Sequence, residues 1–120
     1  MNKVKITIGS ATFTATLAEN PTAAAFKALL PITLEMPDLN GNEKHYQLAR
    51  KLPADDANPG TIHAGDLMLW QSKTLVLFYE TFRTSYSYTK IGRIEDASAL
   101  AAVVGSESVK ATFELERIAR

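Results

Sequence analysis

Gly65-Asp66-Leu67-Met68-Leu69-Trp70, Leu75-Val76-Leu77-Phe78-Tyr79 and Ser85-Tyr86-Ser87-Tyr88-Thr89-Lys90-Ile91-Gly92-Arg93-Ile94 follow one another within residues 65–94. They read as two short apolar strands, an irregular aromatic connector and a Gly-Arg strand. Successive side chains of a strand point to opposite faces. Leu67 and Leu69 therefore oppose Met68 and Trp70, while Leu75, Leu77 and Tyr79 share one face and Val76 and Phe78 the other. A barrel wall needs one of these sets inside, so at least half of the side chains are core. The spacing predicts strands over 66–71, 74–80 and 89–94, with Gln71-Ser72-Lys73 at the first turn.

The same period of two runs outward from this stretch. Val4, Ile6 and Ile8 alternate with Lys3, Lys5 and Thr7, and Phe13, Ala15 and Leu17 alternate with Thr12, Thr14 and Thr16. Gly9-Ser10 between them suits a type II′ turn, which predicts a hairpin over residues 3–17. Residues 32–37 and 43–48 are a second hairpin candidate, because Asn40-Gly41 tolerates positive φ at both positions. Near the end, Val109, Ala111, Phe113 and Leu115 face inward, with Lys110, Thr112, Glu114 and Glu116 outward.

Two segments carry helix brackets. Asn20 can cap a helix that starts at Pro21, where a missing N–H costs nothing, and Pro31 closes it, so a helix is predicted near 21–29 with Ala23, Phe26, Leu29 and Leu30 on one face. Asp96 and Gly105 bracket a second, near 97–104, containing Leu100, Val103 and Val104. Residues 49–65 carry Pro53, Asp55, Asp56, Pro59 and Gly60 without periodicity and read as a long loop, of the kind that is often functional, or as a crossover spanning one end of a barrel. Many short strands with two short helices suggest a mostly β fold, a closed antiparallel barrel, since closure removes exposed strand edges. Periodicity alone leaves a two-sheet sandwich open.

Composition bounds the partners. The chain has 120 residues, enough for one domain over 1–120 with a single core and no metal or disulfide to staple it. Thirteen basic side chains balance thirteen acidic ones, so nothing in the charge calls for nucleic acid or anionic lipid. There is no cysteine, which removes disulfides, thiolate nucleophiles and cysteine metal sites. No apolar run approaches the ~20 residues of a membrane span. Lys3 and Lys5 lead straight into an alternating strand instead of an apolar signal segment, and the expected compartment is the cytoplasm.

Catalytic constellations are thin. His45 and His63 are the only histidines and stand at no metal-ligand spacing, so neither a metal nor another cofactor is expected. Asp55-Asp56 reads as a solvated loop pair. No phosphate loop, nucleophile elbow or dinucleotide fingerprint occurs. Aromatic and basic side chains do gather, with Trp70, Phe78, Phe82, Tyr86 and Tyr88 beside Arg83 and Arg93. A flat apolar wall next to a guanidinium fork is a recurring binding surface for a carboxylate, phosphate or carbonyl.

Leu39-Asn40-Gly41-Asn42-Glu43-Lys44, Pro59-Gly60-Thr61-Ile62, Gly65-Asp66-Leu67, Leu75-Val76-Leu77-Phe78-Tyr79 and Ser85 through Ile94 together resemble the small bacterial and archaeal cyclophilin-like family. The resemblance runs over roughly residues 3–115 and implies a reduced form of the eight-stranded cyclophilin barrel with two helices. Prolyl isomerases of that fold carry Phe-x-Arg on one strand and Gln-Gly-Gly-Asp shortly after. Here Tyr46-Gln47-Leu48-Ala49-Arg50 stands in the corresponding place, with Leu48 where the Phe would be and no Gln-Gly-Gly-Asp following. The isomerase residues do not carry over. The expectation is a non-catalytic binding module that holds a peptide or a small anionic or aromatic ligand in a surface groove. Its candidate lining is Tyr46, Arg50, His63, Arg83, Tyr86, Tyr88 and Arg93. A weak prolyl isomerase using one of the arginines, or an accessory protein-interaction domain, is the alternative.

Overall fold

The computed structural model describes residues 2–116. Lys3–Ile8 (β1) and Ala11–Leu17 (β2) form the first hairpin, paired from Lys3↔Thr16 to Ile8↔Ala11. Gly9 takes a φ of 60° at the first loop position, as a type II′ turn requires. Pro21–Lys27 (α1) follows, and the Asn20 side chain accepts from the Ala23 N–H at 2.7 Å, so the predicted cap forms. The helix ends earlier than its apolar spacing suggested: Ala23 and Phe26 are buried, whereas Leu29 lies beyond the last turn and is exposed.

Ile32–Met36 (β3) does not pair with residues 43–48 as a hairpin. It pairs instead with the last strand, from Ile32↔Phe113 to Met36↔Val109. Pro37 is the physical reason. It has no N–H to continue a ladder, and only Asp38–Leu39 (β4) beyond it turns back onto Glu43–Gln47 (β5). Asn40 and Gly41 make that turn with φ of 60° and 67°, and the Asp38 carboxylate accepts from the Gly41 N–H at 3.1 Å.

Thr61–Ile62 (β6), Asp66–Trp70 (β7), Thr74–Phe78 (β8), Phe82–Arg83 (β9) and Thr89–Ile94 (β10) come next, then Leu100–Val104 (α2) and Val109–Leu115 (β11). The main sheet has nine strands in the order β3-β11-β1-β2-β10-β7-β8-β5-β4. Because β4 continues β3 across Pro37, the two ends of that order meet, and the sheet curls into a nearly closed antiparallel barrel. The His45 N–H donates to the Pro37 carbonyl at 3.1 Å across this seam. Asp96 does not cap α2. Its carboxylate accepts from the backbone and hydroxyl of Ser98, and the helix begins at Leu100. Gly105 ends it with its N–H on the Ala101 carbonyl.

The interior is one apolar cluster, drawn from β1, β2, β3, β7, β8, β10, β11 and both helices. Phe26 plugs one end edge-on against Phe113, with ring centroids 5.7 Å apart. Full burial of a ring this size contributes about 3 kcal/mol. Leu115 departs from the predicted pattern: the barrel interior ends at Phe113, and Leu115 sits exposed on the rim. A second apolar cluster lies outside the wall. Ile62, Met68, Val76, Phe78 and Tyr88 pack there with Trp70 and Phe82. The segment over 49–65 is therefore more than a crossover. Its β6 pairs with β9 of the connector, and this small two-stranded sheet covers the outer face of β7 and β8.

Candidate functional site

Alternation along three neighbouring strands builds the site. Glu43, His45 and Gln47 on β5 stand opposite Phe78, Val76 and Thr74 on β8, and Val76 and Thr74 stand opposite Met68 and Trp70 on β7. All of these point away from the interior cluster, to which the alternate residues Leu67, Leu69, Leu75 and Leu77 belong. The connector lays Tyr86 and Tyr88 over one side of this outer face. On the other side stand Glu35, Pro37, Leu39 and Asn40. Between the two walls runs a groove of about 710 Å³. Leu39 and Tyr86, large side chains that are 44% and 64% exposed, line its mouth.

Tyr88 is the hinge point of the architecture. It packs edge-on against Phe78 at 5.5 Å, exchanges both backbone hydrogen bonds with Ala57 at 3.0 Å, and also borders a second cavity of about 520 Å³ beneath residues 53–59. Burial raises its phenol above the ordinary value, with the charge of Glu43 adding to the effect. Asp55 and Asp56 serve to hold this loop in place: the Asp55 N–H donates to the Thr89 hydroxyl, which in turn donates to Asp56 at 2.6 Å.

Glu43 is the group that sequence reasoning missed. It is only 9% exposed, lines the groove, and its carboxylate accepts no hydrogen bond among the described residues. Burial beside Phe78 and Tyr88, with the negative charge of Asp38 adding to it, pushes its carboxyl up to about 7. Asp38 stays ionised below the usual range because the Tyr79 hydroxyl donates to it at 2.5 Å and Lys44 at 3.0 Å. Lys44, one residue along from Glu43, points the opposite way. It is fully buried at the barrel end, where its ammonium also donates to the Gly105 and Glu107 carbonyls and lies 5.2 Å from the Tyr79 ring centre. It is thus spent on other partners.

Tyr46, Tyr86 and Tyr88 come together along the groove, with Tyr46 also packed on the interior cluster. The remaining sequence candidates lie elsewhere. Arg50 is exposed in the segment after β5, and Arg83 is exposed on β9. His63 and Arg93 meet each other instead, over the buried carboxylate of Asp66. Arg93 Nε donates to it at 2.7 Å and the His63 N–H at 2.9 Å, while the guanidinium also reaches His63 Nδ1 at 3.3 Å. Among the described residues no arginine or lysine lines the groove, and its acidic side chains are Glu35 and Glu43, with His45 also in the lining. No group of three or more metal-ligating side chains occurs among the described residues, and no helix among them is long and apolar enough to cross a membrane.

The model of the cyclophilin-like family matches residues 6–114, and the chain belongs to that family. No curated protein matches its sequence. Solved structures that share the fold include the following two. The hypothetical protein AF2241 from Archaeoglobus fulgidus is 20% identical with a TM-score of 0.65, over 96% of this chain and 95% of that one. McbB, solved in complex with tryptophan, is 16% identical with a TM-score of 0.68, over 98% of this chain but 46% of the other.

Proposed function

We propose that this cyclophilin-like chain is a non-catalytic binding module that holds a small aromatic molecule, or the aromatic side chain of a peptide, in the groove outside β5, β8 and β7. The observation that carries the reading is the groove itself, with about 710 Å³ of space between Trp70, Val76, Tyr86 and Tyr88 on a largely apolar floor. That volume lies in the range of small-ligand sites, which are typically ~300–1,000 Å³. A flat ring stacked on such a wall gains offset or edge contacts beyond its simple burial. The tryptophan complex of McbB supports the choice of an indole as first probe.

An anionic ligand is the poorer fit. The guanidinium groups of Arg50, Arg83 and Arg93 stand outside the lining, and the groove carries carboxylates. The same placement weighs against a prolyl isomerase, which needs a positioned donor over the twisting bond, worth ~10²–10³ in rate. Thermal shift and Trp70 fluorescence against indole, tryptophan and short aromatic peptides test the binding reading. Saturable binding that Trp70→Ala weakens at least tenfold is the expected result. Robust turnover in a protease-coupled proline peptide assay, abolished by Arg50→Ala or Arg83→Ala, would replace it with the enzyme.

A further inference from the structure

We propose that Glu43 is the recognition group of the groove, and that the ligand it selects carries a protonated amine on its flat apolar body. This rests on the groove being a small-ligand site. The ammonium would sit on the Glu43 carboxylate, with the ring running toward Val76 and Trp70.

The argument is one of an unanswered charge. The carboxyl of a residue that is only 9% exposed ordinarily accepts hydrogen bonds or faces a cation, because partial desolvation of a bare carboxylate is unfavourable. Glu43 has neither among the described residues. Every neighbouring element fails to supply one. Asp38 on β4 and Glu35 on β3 are carboxylates themselves. Tyr79, just after β8, gives its hydroxyl to Asp38, and Lys44 on β5 faces the barrel end. Tyr86 and Tyr88 on the connector and His45 on β5 carry no fixed positive charge. The side chain is nevertheless reachable, since it lines the groove. A cation arriving from outside is the partner that completes it, and the surrounding rings add cation–π attraction worth ~0.5–2 kcal/mol.

A rival would use the same residue differently: a protonated Glu43 could donate to a neutral carbonyl ligand. The two part company with pH. Burial holds the Glu43 carboxyl near 7, so an ammonium ligand must displace its proton below that pH, and affinity should rise about tenfold from pH 6 to pH 8. A carbonyl ligand would lose affinity over the same interval.

Calorimetric titration of the whole protein with tryptamine, 3-ethylindole and indole-3-propionate separates the outcomes. The three share a ring and a chain, and differ in carrying a cation, no charge or an anion. Tryptamine should bind at least tenfold tighter than either analogue, with the stated rise in pH. Glu43→Gln should erase that preference, and its far-UV circular dichroism with a cooperative urea transition shows that the variant is folded. Glu43→Asp, which keeps the charge but withdraws it, should keep part of the preference. Equal binding of all three, or unchanged tryptamine binding to Glu43→Gln, overturns the amine proposal and leaves the groove reading standing. A fall in tryptamine affinity from pH 6 to pH 8 also overturns the amine proposal. Binding of none of the three overturns the small-ligand groove and this proposal with it.

Discussion

Replacing Glu43 by Gln should make the unliganded protein more stable at alkaline pH, and by an amount that vanishes in acid. The carboxyl rests at about 7 in the fold against an ordinary 4.5. The folded protein therefore holds this proton more tightly than the unfolded chain does, and loses stability as pH rises from 4.5 through 7. At 1.36 kcal/mol per unit, the ionised side chain costs the fold up to about 3 kcal/mol at pH 8 and less than about 1 kcal/mol at pH 5. Water entering through the open mouth of the groove brings the upper figure toward about 2 kcal/mol. Glutamine has the same shape and no charge, so it escapes this term at every pH. Urea denaturation of both proteins at several pH values between 5 and 8 gives the difference directly, and the titration of all other groups cancels in it. The gap between variant and wild type should widen by about 1.5 kcal/mol across that range. A gap constant to within about 0.5 kcal/mol would mean that Glu43 is ionised or solvated normally, and would refute the electrostatic reading of the groove.

Three further substitutions test the frame that holds the site. Gly41→Val should lower stability by about 1 kcal/mol or more, because φ of 67° strains a β-branched residue although nothing crowds its Cβ; an unchanged urea midpoint would refute the turn. Gly92→Ala should cost about 1–3 kcal/mol for a different reason: a Cβ there would lie 2.6 Å from the Thr16 carbonyl oxygen, forcing β10 away from β2, and a change below the error of denaturation would show that the strands part freely. Lys44→Met should cost about 3 kcal/mol, since it strips the ammonium from Asp38 and from two carbonyls at the barrel end; a neutral effect in thermal unfolding would mean that the buried network is dispensable.

The barrel was legible wherever a strand carries its own period. β1, β2 and most of β11 alternate cleanly, β7 and β8 are short apolar runs bounded by turn residues, and these strands and β10 lie within a residue or two of their predicted bounds. The Asn20-Pro21 start of α1 was readable for the same reason: cap and partner lie three residues apart. Pairing between distant segments was not. The pattern of residues 32–36 fits a strand but says nothing about whether β5 or β11 lies beside it, and Pro37 decides the matter only once both are in view. Likewise β6 and β9 are two residues each, too short for any period, and exist because they cover the same apolar patch.

Glu43 escaped for a deeper version of that reason. Glu43-Lys44-His45-Tyr46-Gln47 is polar on both faces, which by itself describes an exposed edge strand. Both of its first two residues are buried all the same, on opposite sides of the sheet. Lys44 is covered by the Gly105–Glu107 turn, and Glu43 by the connector that brings Tyr88 over Phe78. One clue did stand in the sequence. Leu75-Val76-Leu77-Phe78 is apolar on both faces, so the strand must be covered on both, and a neighbour paired with it shares that cover. A charged residue placed in such a neighbour either finds a partner within the chain or waits for one. Lys44 is the first case, with three hydrogen bonds to show for its burial. Glu43 is the second: its carboxylate has no partner among the described residues, although its strand is covered on both faces.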